Sequence, residues 1–233
     1  MTYCDAIVTD ISDVSQQGAI DAIQDCVSSI RTWMVVNKLK LNEDKTEIIL
    51  IEAQPQLNKI NISRLNIGQA SVPVGNSAVR NLGCWFDSNV NMITHINKAC
   101  QSSFYHLSNI RQIRKYLSPS STKLLVQAVI MARIDYCNSL LYNIPAIHQS
   151  KLQRVQNAAT RLITYTSIYD HITPILCSLH WLLVKFCFQY KIAMITFKVI
   201  HNLAPAYLSD LVTIKRGSRY NLRSTHYENI REL

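Results

Sequence analysis

The sequence predicts an α+β fold that is mostly α. Three observations predict it. Only five glycines and six prolines break 233 residues, fewer than a tight-turned all-β fold needs. Up to about residue 87 one helical pattern alternates with short β-rich runs. From about Asn91 a helical period takes over and persists.

The first twelve residues, MTYCDAIVTDIS, read as a short strand, and Asp13 to Gly18 as a polar break. A helix is expected from about Ala19 to Asn37. Ile20, Ile23, Val27, Ile30, Trp33 and Met34 recur at steps of three and four, with Asp21, Asp25 and Arg31 turned away. After a polar turn at Lys38 to Asp44, Thr46 to Ile51 reads as a strand. Glu52 to Ser63 is a loop. Two further strands are expected at Leu65 to Val74 and Val79 to Phe86, joined by Gly75-Asn76-Ser77.

In the second part Ile93, Ile96, Cys100, Phe104, Leu107 and Ile110 form one stripe. Ser118-Pro119 breaks that helix and supplies a cap and first-turn proline for the next. The next carries Leu124, Leu125, Ala128, Val129 and Met131 and ends before Pro145. A fourth carries Leu152, Val155, Ala159, Leu162 and Ile163. A long apolar helix is expected from Trp181 to His201. The domain division is therefore 1–87, 88–214 and a basic tail at 215–233.

Charge follows the same division. Residues 1–87 hold seven Lys/Arg against ten Asp/Glu, and residues 88–233 hold seventeen against five, within a net +9. A basic helical half above a slightly acidic one suits a polyanionic partner. The cations that carry this reading are Arg111, Arg114 and Lys115 at one helix end, Lys123 on the next helix, and Arg154 further on. From charge alone, a solvated basic surface is an equal reading.

Other classes are disfavoured. The seven cysteines form no Cys-x-x-Cys pair, and no Cys/His cluster has zinc spacing. They read as free thiols in a reducing, intracellular compartment, cytoplasmic or nuclear, of a protein that is not secreted. The most apolar run, Trp181 to Ile200, carries Lys185, Lys191 and Lys198, which are costly in a bilayer. No P-loop, Gly-x-Ser-x-Gly or dinucleotide-binding glycine pattern is present.

Four strings carry a resemblance. They are IRTWMVVNKLKLNEDKTEIILI at 30–51, VRNLGCWFD at 79–87, DYCNSLLYNIP with KLQRVQNAATRL within 134–162, and LHWLLVKFCFQYKIAMITFKVIHNLAPAYL at 179–208. Together they resemble the C-terminal part of reverse transcriptases from LINE-type non-LTR retrotransposons, RNA-directed DNA polymerases, over nearly the whole chain. Leu183 departs from the family, which has proline there. The resemblance implies that 1–87 is a truncated palm remnant and 88–214 a thumb-like region. It also implies RNA or an RNA/DNA duplex as partner, whose phosphates the cations of the helical half would touch without reading bases, and no small-molecule cofactor; the lysines of the apolar run point to no membrane.

The intact family uses Mg²⁺ held by an upstream carboxylate and a Tyr-Ala-Asp-Asp box. Here the box would fall at Tyr3-Cys4-Asp5-Ala6, where Ala6 replaces the second aspartate and Asp5 remains. One carboxylate holds Mg²⁺ poorly. The resemblance therefore implies a chain without polymerase activity on its own, with no metal site and no cofactor. It also places Lys45 near the triphosphate, and Gly83 and Trp85 in a hairpin that touches the primer. Without the metal site, Lys45 reads better as a turn lysine in solvent, and Trp85 reads slightly better as core. The alternative from a different class is a non-catalytic, basic helical nucleic-acid-binding module.

Overall fold

Helix α1 forms at Gln16–Val36, where the apolar spacing places it. It is seen in a computed structural model that describes residues 16–42, 46–51, 63–67, 70–75, 78–210 and 212. The expected N-terminal strand, Asp5, Lys45 and the basic tail lie outside these residues. On α1, Met34 is buried while Trp33 is 59% exposed. Trp33 does not join the apolar face. At 3.6 residues per turn it stands roughly 90° from the Ile23–Val27–Ile30–Met34 stripe.

Strands β1 (Ile48–Ile49), β2 (Arg64–Ile67) and β3 (Ala70–Gly75) make a small sheet in the order β1-β3-β2. β1 runs parallel to β3 and β2 antiparallel to it, with Leu65 opposite Val72. Those two side chains are buried, and α1 packs against β2, where Gln24 Nε2 donates to the Asn66 carbonyl at 3.2 Å.

The expected single strand at 65–74 is thus a hairpin; 79–86, read as one strand from its residues and as a hairpin from the resemblance, is a hairpin. Strands β4 (Val79–Asn81) and β5 (Cys84–Phe86) pair antiparallel across Leu82 and Gly83. Both loop residues have positive φ, 47° and 89°, as a two-residue hairpin turn requires. Cys84 of this hairpin is buried with the helices that follow, not with the first sheet.

Those helices are α2 (Ile93–Ile113), α3 (Pro119–Val126), α4 (Ala132–Asp135), α5 (Ala146–Thr164), α6 (Ile172–Ser178), α7 (Val184–Ile200) and α8 (Ala206–Ser209). Helix α2 lies against α5, and the core gathers Ile96, Leu107, Val126, Ile130, Val155, Ala159 and Phe188 between them. Ser118 caps α3 by accepting from the Ser121 N–H at 3.1 Å, with Pro119 in the first turn.

Two stripes differ from expectation. On α2 the buried line passes through Ser103, leaving Phe104 exposed. Between α3 and α4 the chain makes a π-turn at Gln127–Met131. The buried residues are then Thr122, Val126, Ile130 and Ile134, every fourth position, and Leu124 is 67% exposed. A uniform α-helix would drift about 40° per such step; the wider π-turn cancels part of that drift.

The long helix is also shorter than expected. His180 at φ 58° ends the turn after α6, and Trp181 lies ahead of α7. Leu183 sits at φ −59° and ψ 146°, an extended backbone open to leucine and proline alike. Gln153 and Gln156 of α5 brace this entry. Val184 N–H donates to Gln153 Oε1 at 3.0 Å, and Gln156 Nε2 donates to the Leu182 carbonyl at 2.8 Å.

Candidate nucleic-acid interface

Five cations of the second part, Arg111, Arg114, Lys115, Arg154 and Arg161, line a groove where the end of α2 lies beside α5. A 3₁₀ turn at Arg114–Tyr116 carries the chain off α2. Arg111, Arg114 and Lys115 lie at steps of three and four, so they share a face. On α5, Arg154, Asn157, Ala158 and Arg161 share another. The two faces line an open groove of about 610 Å³, to whose lining Leu162, Tyr165, Thr166 and Ile168 also contribute.

The four arginines of this groove do different work. Arg114 is only 4% exposed. Its Nε donates to the Leu162 carbonyl at 3.0 Å, its Nη2 to Ile163 at 3.0 Å, and its Nη1 to Leu117 at 2.8 Å. The guanidinium carbon lies 4.2 Å from the centroid of the Tyr165 ring. Arg114 therefore caps the C-terminal carbonyls of α5, where a cation also meets the negative end of the helix dipole. Its expected role as a phosphate contact is corrected: most of its donors are spent inside the protein.

Arg161 is similarly engaged. Its Nε donates to the Ser167 carbonyl at 3.0 Å, and its Nη2 reaches the Ile168 and Asp170 carbonyls at 3.3 Å. It holds the loop that walls the groove. The side chains of Arg111 and Arg154 are exposed and make no hydrogen bond or ion pair among the described residues. Lys115 is exposed, its Nζ 4.8 Å from the Tyr116 ring centroid. These three cations face solvent across the groove and are available to an anion.

The other expected residues lie elsewhere. Lys123 sits on α3 and does not line the groove. Gly83 and Trp85 belong to the β4–β5 hairpin, which meets the opposite end of α2. The Trp85 N–H points to His95 Nδ1 at 3.4 Å, and Lys98 Nζ lies 5.8 Å from the Trp85 ring centroid. Between Lys98 and Arg111 the helix advances roughly 20 Å, so hairpin and groove are separate places. The space at Gly83 is taken from within. Tyr136 donates its hydroxyl to the Leu82 carbonyl, and its ring stands 3.6 Å from where a Gly83 Cβ would be. Trp85 is half-buried.

Arg161 reads from the sequence with the other basic residues of the later helices; Tyr165 is not singled out there, though Arg154, Arg161 and Tyr165 stand at i, i+7 and i+11, one face of one helix.

Among the described residues no three His, Cys, Asp or Glu side chains are placed to hold a metal ion, and no helix is long and apolar enough to cross a membrane. The cysteines described are free thiols. Cys84 and Cys100 are buried, Cys26, Cys137 and Cys187 half-buried, and Cys177 exposed. No family model, curated protein or solved structure matches this chain.

Proposed function

We propose that the chain binds the phosphate backbone of RNA or of an RNA–DNA duplex through the α2–α5 groove, as a reverse-transcriptase-derived module that does not polymerise DNA by itself. The observation that carries the binding half is the set of three solvent-facing cations, Arg111, Lys115 and Arg154, held on two helices whose ends Arg114 ties together. Each can meet a phosphate oxygen without rearranging a hydrogen bond it already makes. No base-reading geometry is implied, so binding is sequence-tolerant and strongly salt-dependent. The +9 charge of the chain draws the same partner from a distance.

The descent rests on the four strings, and the inactivity on Ala6, which stands where the resemblance calls for a metal-binding aspartate. An alanine methyl cannot ligate Mg²⁺.

A labelled RNA–DNA duplex titrated with the full chain at low salt tests the binding half by fluorescence anisotropy. Saturable binding that weakens with salt is expected; no binding at low salt overturns it. Primer extension with Mg²⁺ tests the other half, where any extension by protein free of contaminating polymerase overturns the inactivity.

A further inference from the structure

Tyr165 brings to the groove a group that phosphate contacts do not need. It is 69% exposed at the end of α5, and it lines the groove with Arg111, Lys115 and Arg154. One face of its ring lies over the Arg114 guanidinium, whose carbon is 4.2 Å from the ring centroid. That guanidinium is itself fixed by its bonds to the Leu162, Ile163 and Leu117 carbonyls, so the ring rests on a rigid support. With Arg114 under one face, an exposure of that size leaves the other face open.

The fold asks little of this side chain. Arg114 already serves the last carbonyls of α5. Tyr165 stands at φ 57°, a left-handed position at a helix end that glycine usually fills. An exposed aromatic there belongs neither to the core nor to the cap.

Two kinds of group thus share one groove, three solvent-facing cations and a fixed aromatic face. A free anion would use the cations and leave the ring idle. An apolar partner would use the ring and strip water from charges it cannot pair. A nucleic-acid strand carries both complements, one anion and one flat ring per residue. In a blunt duplex those rings are stacked on one another and paired inward, so a tyrosine reaches none without unstacking the helix. In a single strand they turn out and stack on aromatic side chains. The nearby carboxylate of Asp170 does not line the groove; its Oδ2 accepts from the Ser167 N–H at 3.0 Å.

We propose that an unpaired base stacks on the open face of Tyr165 while the same strand lays its phosphates on Arg111, Lys115 and Arg154, so that the groove is built for single-stranded nucleic acid. This rests on the reading of the groove as a phosphate site and adds to it a contact with the bases, made without reading their sequence.

Fluorescence anisotropy of the full chain at one low salt concentration tests it with three labelled probes. They are a single-stranded RNA of about ten nucleotides, the same strand with every base removed, and a blunt RNA–DNA duplex of that length. Wild type should bind the intact strand at least about fivefold tighter than the baseless one, whose phosphates are the same. Tyr165→Leu removes the ring but still covers Arg114. It should lose that margin on the intact strand and keep its affinity for the duplex. Tyr165→Phe, which keeps the ring, should match wild type. So should Tyr190→Leu, which changes an exposed tyrosine that does not line the groove. Equal binding of the two strands by wild type overturns the stacking and leaves the phosphate reading in place. An equal loss on strand and duplex in Tyr165→Leu also overturns it, since a ring with only a structural role would give that result. Failure to bind any probe overturns both. Should Tyr165→Leu fail to fold, the comparison of the two strands on wild type decides alone.

Discussion

Arg114 Nε donates to the carbonyl of Leu162 at 3.0 Å, joining residues 48 positions apart in the chain. Through this bond and its neighbour to Ile163, the end of α2 is fastened to the end of α5. The free cations of the groove hang from these two ends. Arg114 thus acts on any bound anion by positioning Arg111, Lys115 and Arg154.

Arg114→Ala should therefore cost stability more than charge. It strands helix-terminal carbonyls in a buried place and removes three charge-assisted bonds, so a loss of about 2–4 kcal/mol in urea unfolding is expected. Arg114→Lys should recover less than half, because one ammonium cannot reach three carbonyls in a fork. Arg154→Ala, exposed and unpaired among the described residues, should stay within about 0.5 kcal/mol of wild type. Equal losses at 114 and 154 would contradict the division of labour.

His95 gives the protein an acid-sensitive point far from the groove. It is buried beside the hairpin, and burial holds its pKa below the ordinary 6.5. Its Nδ1 faces the Trp85 N–H, an acceptor's role that protonation would end. Below about pH 6.5 the unfolded imidazole takes a proton that the folded one resists, so stability is present above that pH and is lost as pH falls. Urea midpoints should drop as the pH falls below about 6.5, and His95→Asn should flatten that drop. A His95→Asn variant with the wild-type pH profile would contradict the assignment.

The thiols should separate by burial. Burial, with Cys137 beside it, pushes the Cys84 thiol up to about 12. Cys177 is exposed. Iodoacetamide at about pH 8 should alkylate Cys177 in the native protein and spare Cys84 until the protein unfolds, as read by peptide mass mapping. Early labelling of Cys84 would show that the hairpin does not pack against the helices as described.

Much of the architecture was legible because apolar periodicity is a local signal. It located α1, α2 and α5, and Ser118-Pro119 marked the start of α3. The stripe on α3 and α4 was not legible. A π-turn changes the period mid-helix, and no residue type announces one. The first sheet's hairpin was legible, against the reading of one strand: Gly68 interrupts the run from Leu65 to Val74, where a strand interior disfavours glycine.

At the groove, spacing put Arg111 and Lys115 on one helix face, but it could not show that Arg154, on a later helix, lies across from them. The burial of Arg114 was not legible either, since its partner carbonyls lie almost fifty residues downstream. Nor could spacing place Gly83 and Trp85 away from the cations, which took the length of α2 between them.

The decisive measurement is the salt dependence of duplex binding by wild type and by the Arg111→Ala, Lys115→Ala, Arg154→Ala triple variant. Three phosphate contacts removed should flatten the slope of log K against log salt by roughly 2.7, with the thermal midpoint nearly unchanged. Identical slopes and affinities in the two proteins would show that the α2–α5 groove is not where the nucleic acid lies.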